Sequence, residues 1–236
     1  MMGLKREILG HRIFFLAIAT FFLLSNMIGF GFSINSRIHT EGSLHTHIYI
    51  HGLCAGLWIL LYFIQTVLVF SKRLKLHKEL GLLGIVILIS VLISGFYVAF
   101  MVPVIYQSDL GQAGRDFSTI LLGVILSVIG LNYRRKPFIH KRLMMVATLI
   151  FSSAGIARMM DFIGLLNLFG PIGVVMALLI PVIALMVYDY FSYKKIFKVD
   201  LMSFLSICLI FVLATPPLWE NHFLASILET IVGWLS

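Results

Sequence analysis

Apolar residues come along this chain in long blocks, separated by short polar and mostly basic intervals. Seven blocks stand out, at roughly 13–33, 48–70, 81–105, 117–133, 143–163, 168–191 and 201–217. Several approach or exceed the roughly 20 residues a helix needs to cross a hydrocarbon core of about 30 Å. A lipid-embedded barrel would show weak residue-by-residue alternation instead. The pattern predicts an all-α polytopic membrane protein, a single integral membrane domain over residues 1–236 with seven spans. The intervals are short, so successive helices are expected to pack as antiparallel neighbours. Pro171 is expected near the start of the sixth span, Pro181 to kink its middle, and Pro216-Pro217 to end the seventh. The stretch from Phe223 to Trp234 reads as a short amphipathic helix in the outer interface.

A repeat refines this picture. Leu76-His77-Lys78-Glu79-Leu80 recurs 63 residues later as Ile139-His140-Lys141-Arg142-Leu143. Each copy sits in a basic loop and opens an apolar run. The separation is about the length of one hairpin crossing a bilayer twice. Spans two plus three and four plus five then form two parallel hairpin repeats. Together they make a four-helix core within a seven-helix bundle. His77 and His140 fall at equivalent places and the same membrane depth. Such a pair can ligate a metal or a haem, or can be a helix-start signature used twice.

The chain is 60% hydrophobic and 12% charged, too apolar for a soluble domain of 236 residues. Its net charge of +8 is one-sided. Fifteen of the 18 Lys and Arg fall on one face of the predicted topology, leaving Arg37, Arg115 and Arg158 on the other. This bias sets the N-terminus in the cytoplasm and the C-terminus outside a bacterial cytoplasmic (inner) membrane. The basic excess follows from topology and anionic lipid, so the expected partner is the lipid bilayer and no nucleic acid. Cys54 and Cys208 both lie in apolar spans, where a structural disulfide is not expected. The first apolar run follows a basic start without a small-residue cleavage site, and reads as a retained helix.

The second span carries the densest chemistry. His47, His51, Cys54, Trp58 and Gln65 fall within about 60° of one another at about 100° per residue, with Tyr62 at the edge. A polar and aromatic stripe belongs on the bundle interior or a water-filled cavity. His47 and His51 are four apart, which lets both imidazoles reach one ion, with Cys54 as a further ligand. The alternative is an interfacial His47 and a His51 bonded to a neighbouring helix. In the fifth span His140, Met144, Ala147, Phe151 and Arg158 share a face, and Arg158 can pair with Asp161 along the helix. A charge inside a span marks a functional site or a buried ion pair. Gly81, Gly84 and Gly95 lie on the face below His77, open to close packing or to a flat ligand. Asp189, between Tyr188 and Tyr190, is placed to join His77 and His140 as a third ligand or to orient an imidazole.

Gln65-Thr66, Leu76-His77-Lys78-Glu79-Leu80-Gly81, His140-Lys141-Arg142-Leu143-Met144 and Ala157-Arg158 together resemble an uncharacterised group of bacterial multi-pass membrane proteins. The layout of histidines in helix hairpins is also distantly similar to cytochrome b561-type proteins. That resemblance implies a four-helix core holding haem b between imidazoles on different helices and moving electrons across the membrane. His77 and His140 would be the cytoplasmic-side ligands and His51 an outer-side candidate, with Lys78, Lys141 and Arg142 near the propionates. The chain departs from the pattern in one respect. Its fourth and fifth spans carry no outer-side histidine to pair with His51, so an outer haem would need Met101, Met159 or Met160.

Three functions follow. The first is a membrane redox component with haem b, transferring electrons between quinone and a redox partner. The second is a membrane metalloenzyme, a hydrolase with zinc or iron at His47 and His51, completed by Asp161 or a water. The third is a metal-free transporter or scaffold in which Arg158, Asp161 and Asp189 line a polar path. A Ser-His-Asp hydrolase and a nucleotide-driven pump are disfavoured, because neither the nucleophile-elbow nor the phosphate-loop glycine pattern occurs.

Overall fold

The computed structural model describes residues 2–106, 110–213 and Thr230. Among the described residues the chain is helical, with no strand. Eight helices follow in order: α1 (Met2–Glu41), α2 (Thr46–Phe70), α3 (Leu74–Tyr106), α4 (Leu110–Asn132), α5 (Pro137–Phe151), α6 (Ser153–Phe162), α7 (Leu165–Tyr193) and α8 (Lys198–Leu213). Pro216-Pro217 and, apart from Thr230, the stretch from Phe223 to Trp234 lie outside the described residues.

Four segments are each long and apolar enough to cross a bilayer: Leu9–Thr40, Thr46–Phe70, Leu74–Ala99 and Ile172–Tyr193. The chain is an integral membrane protein on that evidence. The predicted fifth span is two helices, α5 and α6, bent by 51° where they meet, and counts as a fifth crossing only when taken as one. The bend falls at Ser152-Ser153, and serine pairs are a common site of sharp kinks. The apolar stretch of α4, Asp116–Asn132, is shorter, and the described part of α8 has 16 residues. Length and composition thus give four or five crossings among the described residues, against the seven expected.

In α7 the non-helical backbone falls at Gly170, with φ 58° and ψ −157°, a conformation that suits glycine. Pro181, where a kink is expected, keeps helical backbone angles. The break just before Pro171 leaves that residue in a first-turn position, where its missing N–H costs nothing.

Helices α2, α3, α4 and α5 pack in a closed ring, each against the next. α5 is the hub of the whole bundle, touching α1, α2, α4, α6, α7 and α8. Leu143 and Met145 through Ile150 are all buried, on every side of the helix. The core around α5 includes Phe22, Trp58, Tyr62, Val91, Ile156, Val182 and Leu185. Close approach of helices is built on glycine, as expected where lipid offers little hydrophobic drive for association. Gly123 of α4 sits under the Phe151 ring and Gly130 under Met144 of α5. Gly29 of α1 lies directly on the Gly155 carbonyl of α6.

The largest fully buried side chain is Arg142, in the second turn of α5. It is held by two fully buried carboxylates. Arg142 Nε donates to Asp189 Oδ2 of α7 at 3.1 Å and to Asp200 Oδ1 of α8 at 2.9 Å, and Nη2 also donates to Asp189 Oδ2. Nη1 donates to the Phe138 carbonyl at 3.0 Å, and the guanidinium lies 3.6 Å from the Phe138 ring centre. Asp200 Oδ2 accepts from the Phe197 N–H at 3.0 Å and so caps the start of α8. One cluster therefore ties three helices at one end of the bundle. Removing one partner of a buried ion pair leaves an uncompensated charge, at a cost of about 3–5 kcal/mol. Arg142→Gln is expected to lose about that much stability in detergent unfolding. Replacing Arg142, Asp189 and Asp200 together by apolar residues of similar volume is expected to recover most of it.

Candidate functional site

α3 and α5 both begin earlier than their apolar blocks, because each basic loop already turns into helix. His77 and His140 are each the fourth residue of their helix. Their N–H groups close the same first-turn bond, to the Arg73 carbonyl at 3.1 Å and the Lys136 carbonyl at 3.0 Å. The two rings come together across the four-helix ring, centres 6.4 Å apart and planes at 77°. Both are half-buried.

Each histidine leans on the backbone of the helix before it. His140 Nδ1 donates to the Gly130 carbonyl at 2.8 Å, one of the last carbonyls of α4 and without an intrahelical partner of its own. That bond leaves Nε2 of the neutral ring with a free lone pair. His77 lies beside the backbone of Gln65 on α2. Its Nδ1 is buried without a hydrogen-bond partner, and so are both amide atoms of Gln65. Buried polar atoms are nearly always satisfied, and among the described residues the other exceptions are on His11, His47, Ser152 and Asp189. Gly81 lies one turn beyond His77 on the same helix face, and a Cβ there would meet nothing within 4 Å. Of the three glycines singled out, Gly81 therefore faces open space, Gly84 packs on Leu61, and Gly95 packs on Ile120 and His51.

The expected second-span site is arranged differently. His51 Nδ1 lies 3.2 Å from Ser94 Oγ, whose own hydrogen goes to the Ser90 carbonyl at 2.6 Å. His51 therefore donates to Ser94 and is turned toward α3. His47 packs edge-on to Tyr97 of α3, ring centres 5.8 Å apart. Cys54 is half-buried at the edge of the core, and Trp58 donates to Thr148 Oγ1 at 3.3 Å. Asp161 is elsewhere, exposed on α6 in a hollow against α1. Among the described residues no three His, Cys, Asp or Glu side chains gather closely enough to hold a metal ion. The set His47, His51 and Asp161 is not brought together, because α6 lies against α1 and α7 rather than against α2.

Two other expectations need correction. Asp189 does not reach the histidine pair as a ligand or an orienting group, because Arg142 takes it. Arg142 is by the same token unavailable to a propionate. Arg158 and Asp161 do not pair: Arg158 Nη1 donates to the Ala154 carbonyl at 3.0 Å, and its guanidinium lies 4.7 Å from the Phe30 ring centre.

Residues outside the sequence reading also matter here. Asp200 completes the buried cluster, and it is the sole acid in α8, at a capping position. His11 of α1 lies with Nε2 2.6 Å from Tyr193 Oη and its ring 4.7 Å from Tyr188, joining α1 to α7. A lone acid in the first turn of an apolar helix was the available signal for Asp200; nothing local marks His11.

Comparisons with protein-family models, with curated proteins and with solved structures find no match.

Gly95→Val is expected to push His51 off Ser94 and to cost about 1–3 kcal/mol by overpacking, read from unfolding in detergent. Gly81→Ala, which meets no neighbour, is expected to stay within about 0.5 kcal/mol of the parent or to gain slightly from helix propensity.

Proposed function

We propose that the protein is a redox component of a bacterial cytoplasmic membrane, with one b-type haem between His77 and His140. Electrons pass between quinone and a redox partner. In this reading all seven apolar segments cross the membrane, the N-terminus is cytoplasmic, and the hairpins α2–α3 and α4–α5 are the repeated units of a four-helix core. The observation that carries the reading is the meeting of two imidazoles from helices across that ring, with His77 Nδ1 buried and without a partner.

The residues fit the group. His77 and His140, with ring centres 6.4 Å apart, would hold the group between them. Two protein ligands suit a haem, whose porphyrin fills the other positions, whereas a zinc site takes three or four. The Gly130 carbonyl holds the His140 ring in the tautomer that presents Nε2, as outer partners of ligating histidines do. Open space at Gly81 is room for a flat group on the face of His77. Haem would supply one-electron chemistry. The chain would orient it through His77 and His140 and set its potential by burial and by the Gly130 bond. With Arg142 paired, Lys78, exposed at the rim, would face a propionate, while Lys141 Nζ lies 4.9 Å from the Phe15 ring centre.

The test is an oxidised and a dithionite-reduced absorption spectrum of the detergent-purified protein, with metal analysis on the same sample. A reduced b-type spectrum near one haem per chain is expected. His77→Ala and His140→Ala are expected to lose it while still inserting into the membrane, and Gly81→Leu to lower haem content by filling the open flank. A featureless spectrum, or full haem in both histidine variants, would sink the assignment. Stoichiometric zinc or iron lost on His47→Ala or His51→Ala would favour the metalloenzyme instead.

A further inference from the structure

We infer that a second site, independent of the histidine pair, lies where α1 crosses α6, and that it binds a small zwitterion. Its acidic group would sit on Arg158 and its ammonium group on Asp161. The hollow has a volume of about 200 Å³ and is lined by Phe32, Ser33, Ser36 and Arg37 of α1 with Arg158 and Asp161 of α6. That is room for on the order of six waters, the size of a small amino acid or a phosphoethanolamine group.

The cup is built by the fold. The 51° bend between α5 and α6 redirects α6 across α1. One turn deeper, Gly29 touches the Gly155 carbonyl and Asn26 packs on Gly155, so no side chain fits between the helices and the hollow has a floor. Above that floor the chain places charges of both signs. Arg158 is held by the Ala154 carbonyl, which takes one of its five N–H groups, and by the Phe30 ring, and Asp116 of α4 is a further carboxylate near it. Asp161 is three residues on, within pairing distance on a helix, yet it makes no ion pair with Arg158.

Opposite charges that line one hollow without meeting are matched by a ligand carrying both. A simple anion would be repelled by Asp161, and a simple cation by Arg158. The Ser33 and Ser36 hydroxyls offer neutral donors and acceptors on the α1 wall. The shared chemistry is an acidic group a few atoms from a primary ammonium. A free amino acid and the headgroup of phosphatidylethanolamine both carry it.

The experiment uses the full-length protein in phosphatidylcholine nanodiscs, titrated calorimetrically with glycine, phosphoethanolamine, acetate and methylammonium. Glycine or phosphoethanolamine is expected to bind at least about tenfold more tightly than either single-charge probe. Asp161→Asn is expected to abolish that preference over acetate, and Arg158→Gln to abolish binding of every acidic probe. Asp161 is exposed, so its variant carries the test even where Arg158→Gln fails to fold. Repeating the titration in phosphatidylethanolamine discs separates the sources. Loss of the signal there assigns the site to the lipid headgroup, and its persistence assigns it to a free solute. Acetate binding as tightly as glycine, a zwitterion preference that survives in Asp161→Asn, or no binding by any probe together with equal thermal stability in the two lipids would overturn the proposal.

Discussion

A guanidinium with no exposed surface has to be surrounded by its own counter-charges, and in this chain that requirement organises one end of the bundle. Arg142 projects from the helix that touches almost every other helix. Asp189 and Asp200 reach it from α7 and α8, which are largely apolar and have few other polar contacts to choose a register, the His11–Tyr193 bond of α7 among them. In lipid, apolar faces slide at small cost, whereas an unpaired buried charge costs several kcal/mol. The cluster therefore acts as a register pin. Because Asp200 also caps α8, the same contact sets where that helix starts.

The pin has a consequence for the histidines. Arg142 is two residues beyond His140, so docking the guanidinium inward sets the rotation of the first turn of α5. His140 is then presented toward α4 and α3, where the Gly130 carbonyl and the His77 ring meet it. Helices α2 and α4 supply backbone contacts to the histidines, and α3 and α5 supply the rings. The site belongs to the ring of four helices as a whole, and no single helix carries it.

The two ends of the bundle differ in kind. At the end with the basic loops, the buried charges of Arg142, Asp189 and Asp200 are neutralised by one another, although Asp189 Oδ1 has no hydrogen-bond partner of its own. Where α1 crosses α6, Arg158 and Asp161 face the same hollow without pairing. The glycine contact between α1 and α6 makes that difference: it brings two polar helix faces close enough to enclose space but keeps a floor beneath it.

Much of this was legible in the residues themselves. Long apolar blocks specify membrane helices because unsatisfied backbone groups in lipid leave no alternative. The repeated Leu/Ile-His-Lys motif put His77 and His140 at matching helix starts, and the structure brings those rings together. The stripe on α2 did find inward-facing residues, with Trp58 buried and His51 bonded across to α3. Periodicity could not say which helix each stripe would meet. It paired Arg158 with Asp161 because they are three apart, although the Ala154 carbonyl and the Phe30 ring hold Arg158 away. It assigned Asp189 to the histidines because they share a depth, although Arg142 shares that depth and binds a carboxylate more strongly. Glycine spacing left Gly81, Gly84 and Gly95 equivalent, while the fold gives them three different neighbours. Sequence alone determined that the chain is helical and that long apolar segments leave water, because those follow from local apolarity and backbone hydrogen bonding. Only the tertiary structure decided the partners of each charge and ring, because in a bundle of near-uniform apolar surfaces those choices rest on a few polar contacts between residues far apart in the chain.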